Sequence, residues 1–172
     1  MTLTVAQIVF WTFTGVLAYV YVGYPLLVLF VGKLFPREIV RGNFAPKVSV
    51  LITAFNEEAA IRQKLENTLE IDYPAGKLEI IVASDGSTDK TDEIVKEFTS
   101  SGVRLFRQEG RVGKTETQNN AVVEATGDIV LFSDATTEYG EDVLSRVLPP
   151  FADPTVGCVA GRLVYLNDES TN

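Results

Sequence analysis

The stretch Leu78-Glu79-Ile80-Ile81-Val82-Ala83-Ser84-Asp85-Gly86-Ser87-Thr88-Asp89 decides the fold of this chain. Residues 78–83 form a short apolar run, as a strand buried on both faces requires. Ser84-Asp85-Gly86 stops it with turn residues. Thr88 or Asp89 then stands where a helix over 89–98 needs a cap, with Ile94, Val95 and Phe98 inward. A buried strand feeding a helix through a tight turn is half of a parallel βα unit.

The same order recurs outward in both directions. Val48-Ser49-Val50-Leu51-Ile52-Thr53 reads as a preceding strand. Ala54-Phe55-Asn56-Glu57 follows, with Asn56 as N-cap and Glu57 and Glu58 in a first helical turn. Ile61, Leu65 and Leu69 recur at i, i+4, i+8 and give that helix one apolar face. Residues 72–76 break it. On the other side, residues 103–106 read as a third strand. Residues 114–125 read as a helix closed by Gly127 at its C′ position. A fourth strand spans 129–132 and ends in Ser133-Asp134-Ala135-Thr136. Residues 142–151 read as a helix broken by Pro149 and Pro150, and 156–165 as a last strand. The alternation predicts an α/β fold, a mostly parallel sheet with helices on both faces.

The chain has 172 residues, of which 46% are hydrophobic, and carries a formal charge of −8. Its mean hydropathy is +0.14. That acidity argues against nucleic acid as a partner. There is no histidine, so any metal must be held by oxygens, which favours Mg²⁺ or Mn²⁺. The single cysteine, Cys158, excludes an intrachain disulfide.

The average hydropathy hides an amino-terminal segment unlike the rest. Residues 8–32 contain no charged side chain. A helix of that length rises about 37 Å, enough to cross a hydrocarbon core of about 30 Å. Trp11, Tyr19, Tyr21 and Tyr24 suit the interfaces, and Gly23 and Pro25 are placed to kink the helix. No basic residue precedes the run, whereas Lys33, Arg37, Arg41 and Lys47 follow it. The positive-inside bias therefore predicts an N-terminus outside and a cytoplasmic domain. A cleaved signal peptide would have a basic start and a shorter apolar core. The expected organisation is a transmembrane helix over 8–32, a juxtamembrane linker over 33–46 and a globular domain over 47–172.

Two acids, Asp85 and Asp134, stand where parallel strands end, the edge at which open α/β sheets bind ligands. Asp85 reads either as turn chemistry or as a carboxylate offered to a ligand N–H. Asp134 reads either as a turn cap or as a cation ligand beside a diphosphate. Glu57 reads as a dipole-complementing acid or as part of the same crevice. Gly110-Arg111-Val112-Gly113-Lys114 lies between the two acids in sequence. It is no P-loop, because Gln108 stands where the first glycine belongs, and it is no Rossmann fingerprint. What remains is a basic loop at a helix N-terminus, suited to a diphosphate or to solvent.

Taken together, these landmarks resemble the family 2 glycosyltransferases of the GT-A fold, in particular the cellulose-synthase-like, membrane-bound branch. The resemblance covers residues 46–164. It rests on Val50–Glu58, Lys64-Leu65-Glu66-Asn67, Asp72-Tyr73-Pro74, Glu79–Asp89, Gly113-Lys114, Asn119 and Gly127–Ala135. It implies an enzyme that moves a sugar from a nucleotide-diphospho-sugar, a UDP-sugar first, to a hydroxyl of a carbohydrate or lipid-linked acceptor. Thr53, Ala54, Phe55 and Glu57 would line the nucleotide pocket, and Asp85 would contact a uracil-type base. Lys114 would lie by the diphosphate, and Ser133 and Asp134 would belong to the DXD-type metal motif. Thr136 departs from that motif, which has an acid there. The sequence stops before the family's acceptor-side region, so no catalytic base is named. The resemblance places such an enzyme in polysaccharide or glycolipid synthesis at a bacterial inner membrane. Two rivals are a non-catalytic nucleotide-sugar-binding module and a nucleotidyltransferase. The latter wants a Gly-rich basic segment where Ala54-Phe55-Asn56-Glu57 stands.

Overall fold

The computed structural model describes residues 4–43, 45–162 and 164. It divides into two compact units, residues 1–39 and 40–172.

The first unit is one continuous helical rod, Val5–Leu34. It comprises α1 (Val5–Ala18), a π turn (Tyr19–Gly23) and α2 (Tyr24–Leu34). Thr4 caps it, accepting from the Gln7 N–H in a capping box. None of its residues is buried, so its apolar side chains face outward all round. The disturbance expected near Gly23 and Pro25 takes the form of the π turn. There the Tyr24 N–H donates to the Tyr19 carbonyl. A widened turn accommodates a proline ring that would otherwise press on the carbonyl four residues before it.

The second unit is built on a four-stranded parallel sheet of order β3-β2-β1-β4. The strands are β1 (Val48–Ala54), β2 (Leu78–Ser84), β3 (Val103–Arg107) and β4 (Ile129–Asp134). Side chains alternate across the sheet, and the two faces take different helices. Val50, Ile52, Ile80 and Val82 pack against Ile61 and Leu65 of α3 (Ile61–Leu69) and Val95 of α4 (Thr91–Glu97). Leu51, Ile81 and Ala83 pack on Ala121 of α5 (Lys114–Val122). The parallel sheet with helices on both faces is therefore as expected.

Four local expectations fail, each for a physical reason. Asn56 does not cap α3: it adopts φ +54°, and its side chain accepts from the Thr88 N–H, so the helix starts only at Ile61. The buried face of α3 is Ile61, Lys64, Leu65 and Thr68, while Leu69 is exposed. Gly127 is no C′ residue, since α5 ends at Val122. It is glycine because a Cβ there would lie 2.6 Å from the Ser49 backbone nitrogen. The expected last strand is not formed by residues 156–162 or Val164, which have no regular structure; Leu163 and Tyr165 lie outside the described residues. The region 142–151 divides as its prolines require, into α6 (Val143–Val147) and a 3-10 turn (Pro149–Ala152).

Candidate functional site

Register brings the site together before any side chain is considered. Thr53 pairs with Asp134 and Ala54 with Ser84, so the carboxyl ends of β1, β2 and β4 are level. The residues that follow form one rim at the edge where parallel sheets bind ligands.

The loops after β1 and β2 are clasped to each other. The Asn56 N–H donates to the Ser87 hydroxyl, and the Thr88 N–H donates to Asn56 Oδ1. The Glu57 N–H donates to the Thr91 hydroxyl at 2.8 Å, and the Glu58 N–H to Asp89. The Lys90 N–H returns a bond to the Glu58 carboxylate. Asp89 also accepts from the Thr91 N–H and hydroxyl. Burial raises its pKa, and these bonds outweigh that and hold it below the usual carboxylate range. Glu57 and Asp89 thus belong to a rigid frame around the crevice.

Asp85 forms its floor and is only 3% exposed. Its Oδ1 accepts from the Val112 N–H at 2.7 Å, the Gly113 N–H and the Thr117 hydroxyl at 3.0 Å. Its Oδ2 accepts from the Gly113 N–H at 3.0 Å. Burial alone would raise this carboxyl; the bonds from Val112, Thr117 and Gly113 and the charge of Arg111 prevail and lower it. The basic loop is therefore docked on the strand-end acid. The Arg111 guanidinium lies over the Phe55 ring, 4.0 Å from its centroid. Ala54 is buried, and its carbonyl accepts the Asp85 N–H.

On the other side of β1, the Lys114 ammonium pairs with Asp134 Oδ1, and both side chains are more than half exposed. One helical turn on, the Gln118 amide donates to the Thr53 hydroxyl at 3.0 Å. Ser133 is buried beside Asp134. The turn after Asp134 is gripped by α3. Lys64 donates to the Thr137 carbonyl and sits 3.8 Å over the Tyr139 ring. Asn67 exchanges two hydrogen bonds with the Tyr139 backbone. Burial is the main influence on Lys64 and lowers its pKa to about 8, against the opposing pull of Glu138 and Asp134.

The structure thus gathers Thr53, Ala54, Phe55, Glu57, Asp85, Lys114, Ser133 and Asp134 on one rim. Sequence reasoning missed Gln118, Thr117 and the role of Lys64 and Asn67. Lys114, Thr117 and Gln118 fall at i, i+3, i+4 and so share a helix face. That spacing was the available signal.

As a cation site the donor set is thin. No cluster of three acidic, histidine or cysteine side chains exists among the described residues. One exposed carboxylate suits a hard cation only if a ligand adds its own oxygens. A cavity of about 690 Å³ lies elsewhere, along β4 between Leu144, Leu148 and residues 156–162. Neither Asp85 nor Asp134 lines it.

A family model described as Glycosyl transferase family 2 matches residues 49–172. This chain belongs to glycosyl transferase family 2. Its fold is of the GT-A type. Superposition on the mannosyltransferase PcManGT of Pyrobaculum calidifontis, solved with GDP-Man and Mn²⁺, gives a TM-score of 0.71 at 33% identity. That match covers 83% of this chain and 44% of the other. The beta-monoglucosyldiacylglycerol synthase of Synechocystis sp. is 32% identical over 127 residues, 72% of this chain and 26% of its own. An N-acetylglucosaminyltransferase of Bradyrhizobium elkanii is 34% identical over 134 residues, 76% of this chain and 73% of its own. This family 2 chain spans about a quarter to a third of the length of the first curated relatives it matches.

Proposed function

We propose that this chain is the donor-binding part of a membrane-anchored transferase that takes a sugar from a nucleotide-diphospho-sugar, a UDP-sugar first. The acceptor would be a hydroxyl of a polysaccharide or a glycolipid. The observation that carries the reading is the exposed Lys114–Asp134 pair at level strand ends, beside a basic loop docked on Asp85. Relatives named as a beta-monoglucosyldiacylglycerol synthase and as an N-acetylglucosaminyltransferase support a glycolipid product and a sugar-nucleotide donor. The membrane-bound, cellulose-synthase-like branch is favoured by the 30-residue apolar helix Val5–Leu34. Its basic residues lie in its last turn and beyond it, with none before it, which supports a cytoplasmic site.

The chemistry follows from the pairing. Without a donor, Lys114 and Asp134 neutralise each other. An incoming diphosphate offers Lys114 a doubly charged partner and releases Asp134. Asp134, with diphosphate oxygens, would hold Mg²⁺ or Mn²⁺. Such a cation supplies positive charge against the departing diphosphate. Lys114 and Arg111 add charge-assisted hydrogen bonds to the same group. Thr53, Ala54, Phe55 and Glu57 form the wall on the nucleotide side. The test is titration of UDP and of GDP into the folded protein with Mn²⁺. Saturable binding of at least one is expected; no binding of either would refute the reading.

A further inference from the structure

Asp85 is a charged group whose oxygens are consumed by the protein itself. Its four contacts all come from one segment: the backbone N–H groups of Val112 and Gly113 and the hydroxyl of Thr117. Thr117 is fully buried, so it meets no ligand directly. A second, independent feature docks the same segment. A Cβ on Gly86 would lie 2.5 Å from the Gly110 carbonyl carbon and oxygen, so the turn after β2 and the basic loop touch backbone to backbone. Arg111 and Lys114, the two cations facing the rim, flank the residues that Asp85 holds. Arg111 stacks on Phe55, and Lys114 reaches Asp134. A loop with glycines at φ +78° and +99°, Gly110 and Gly113, has little stiffness of its own. Its order must come from what it is tied to.

We propose that Asp85 and Thr117 form a latch that positions the basic loop 110–114 for the donor's diphosphate, so that Asp85 is a positioning residue for the phosphate end whether or not it meets the base. The proposal rests on the donor-site reading. It separates two roles of one carboxylate by ligand chemistry. A base contact affects only ligands that carry a base. A latch affects inorganic pyrophosphate as well, which carries none.

The experiment measures pyrophosphate binding with Mg²⁺, by displacement of UDP, in wild type, Asp85→Asn, Thr117→Val and Thr117→Ser. Asp85→Asn keeps the shape but turns an amide toward backbone N–H donors. Hydrogen bonds to a charged acceptor are among the stronger ones, so pyrophosphate affinity is expected to fall about tenfold or more in Asp85→Asn. Thr117→Val removes one of those bonds at constant volume and should cost about three- to tenfold, with Thr117→Ser restoring wild-type affinity. Thr117→Val decides the matter if Asp85→Asn does not fold. Unchanged pyrophosphate affinity in Thr117→Val, or in Asp85→Asn while its UDP affinity falls, overturns the latch and leaves Asp85 as a base contact. If the wild type binds UDP and pyrophosphate while the variants show these unchanged values, the latch alone is sunk. A wild type that binds neither ligand sinks the donor-site reading and the latch with it.

Discussion

Replacing Gly86 by alanine asks whether the backbone contact between the β2 turn and the basic loop is as close as described. Two costs apply at this position. Gly86 has φ +68°, a left-handed conformation that costs an L-residue about 1–2 kcal/mol. The new Cβ would also lie 2.5 Å from Gly110 backbone atoms, which have no rotamer by which to retreat. Ordinary contact begins near 3.4 Å, so the loop must move by roughly 1 Å, an overpacking that costs about 1–3 kcal/mol. The sum is about 2–5 kcal/mol, a large share of a domain's stability of about 5–15 kcal/mol. Gly102→Ala isolates the first cost, because Gly102 has φ +89° but nothing within 4 Å of its Cβ. Urea denaturation of both variants measures the difference. Gly86→Ala should be less stable than Gly102→Ala by about 1–3 kcal/mol. It should also bind UDP more weakly, because the displaced loop carries Arg111 and Lys114. Equal stability and wild-type UDP affinity in Gly86→Ala would refute the close docking of the loop.

Two pH-dependent consequences follow from groups away from the loop. Burial raises Glu79, but bonds from Ser49, Thr126 and Arg104 bring it down to about 2 from an ordinary 4.5. Its contribution is therefore complete above pH 4.5 and is lost as pH falls toward 2, so the stability gap between wild type and Glu79→Gln should narrow over that range; parallel curves would contradict it. Lys64, lowered to about 8 from 10.5, binds fewer protons folded than unfolded between those values, so the penalty of its burial fades as pH rises through that window. NMR of the Lys64 side chain should show a midpoint near 8, and a midpoint near 10.5 would exclude the buried placement over Tyr139.

The sheet was legible because burial on both faces writes itself as continuous apolar runs. Val48–Ala54 and Leu78–Ser84 are read correctly to within a residue or so. Strand order was not legible, since nothing in β1 names β4 as its second neighbour. The strand-end acids were legible for the same reason as the strands. Their partners were not. That Asp85 binds its own loop depends on contacts 27 and 28 residues away, which no local pattern encodes. Asn56 has the composition of a helix cap but is held at φ +54° by Ser87 and Thr88, a tertiary override of local preference. Lys64 sat at a position where helical periodicity accepts an apolar residue, so its burial under the Asp134 turn went unread. The expected strand over 156–165 followed from β-rich composition alone, and residues 156–162 pair with no strand.

In the proposed donor site, diphosphate and cation meet at Asp134. Thr136 supplies no carboxylate, so Asp134 alone should hold Mn²⁺ weakly until a diphosphate adds oxygens. Linkage is reciprocal, and Mn²⁺ must then tighten UDP binding by the same factor, about 5- to 150-fold for an ordinary coupling of about 1–3 kcal/mol. The measurement is UDP affinity by calorimetry with and without Mn²⁺, in wild type, Asp134→Asn and Thr136→Asp. The coupling should be present in wild type, nearly absent in Asp134→Asn and stronger in Thr136→Asp. Equal UDP affinity with and without Mn²⁺ in the wild type would contradict the account and remove the metal role from Asp134.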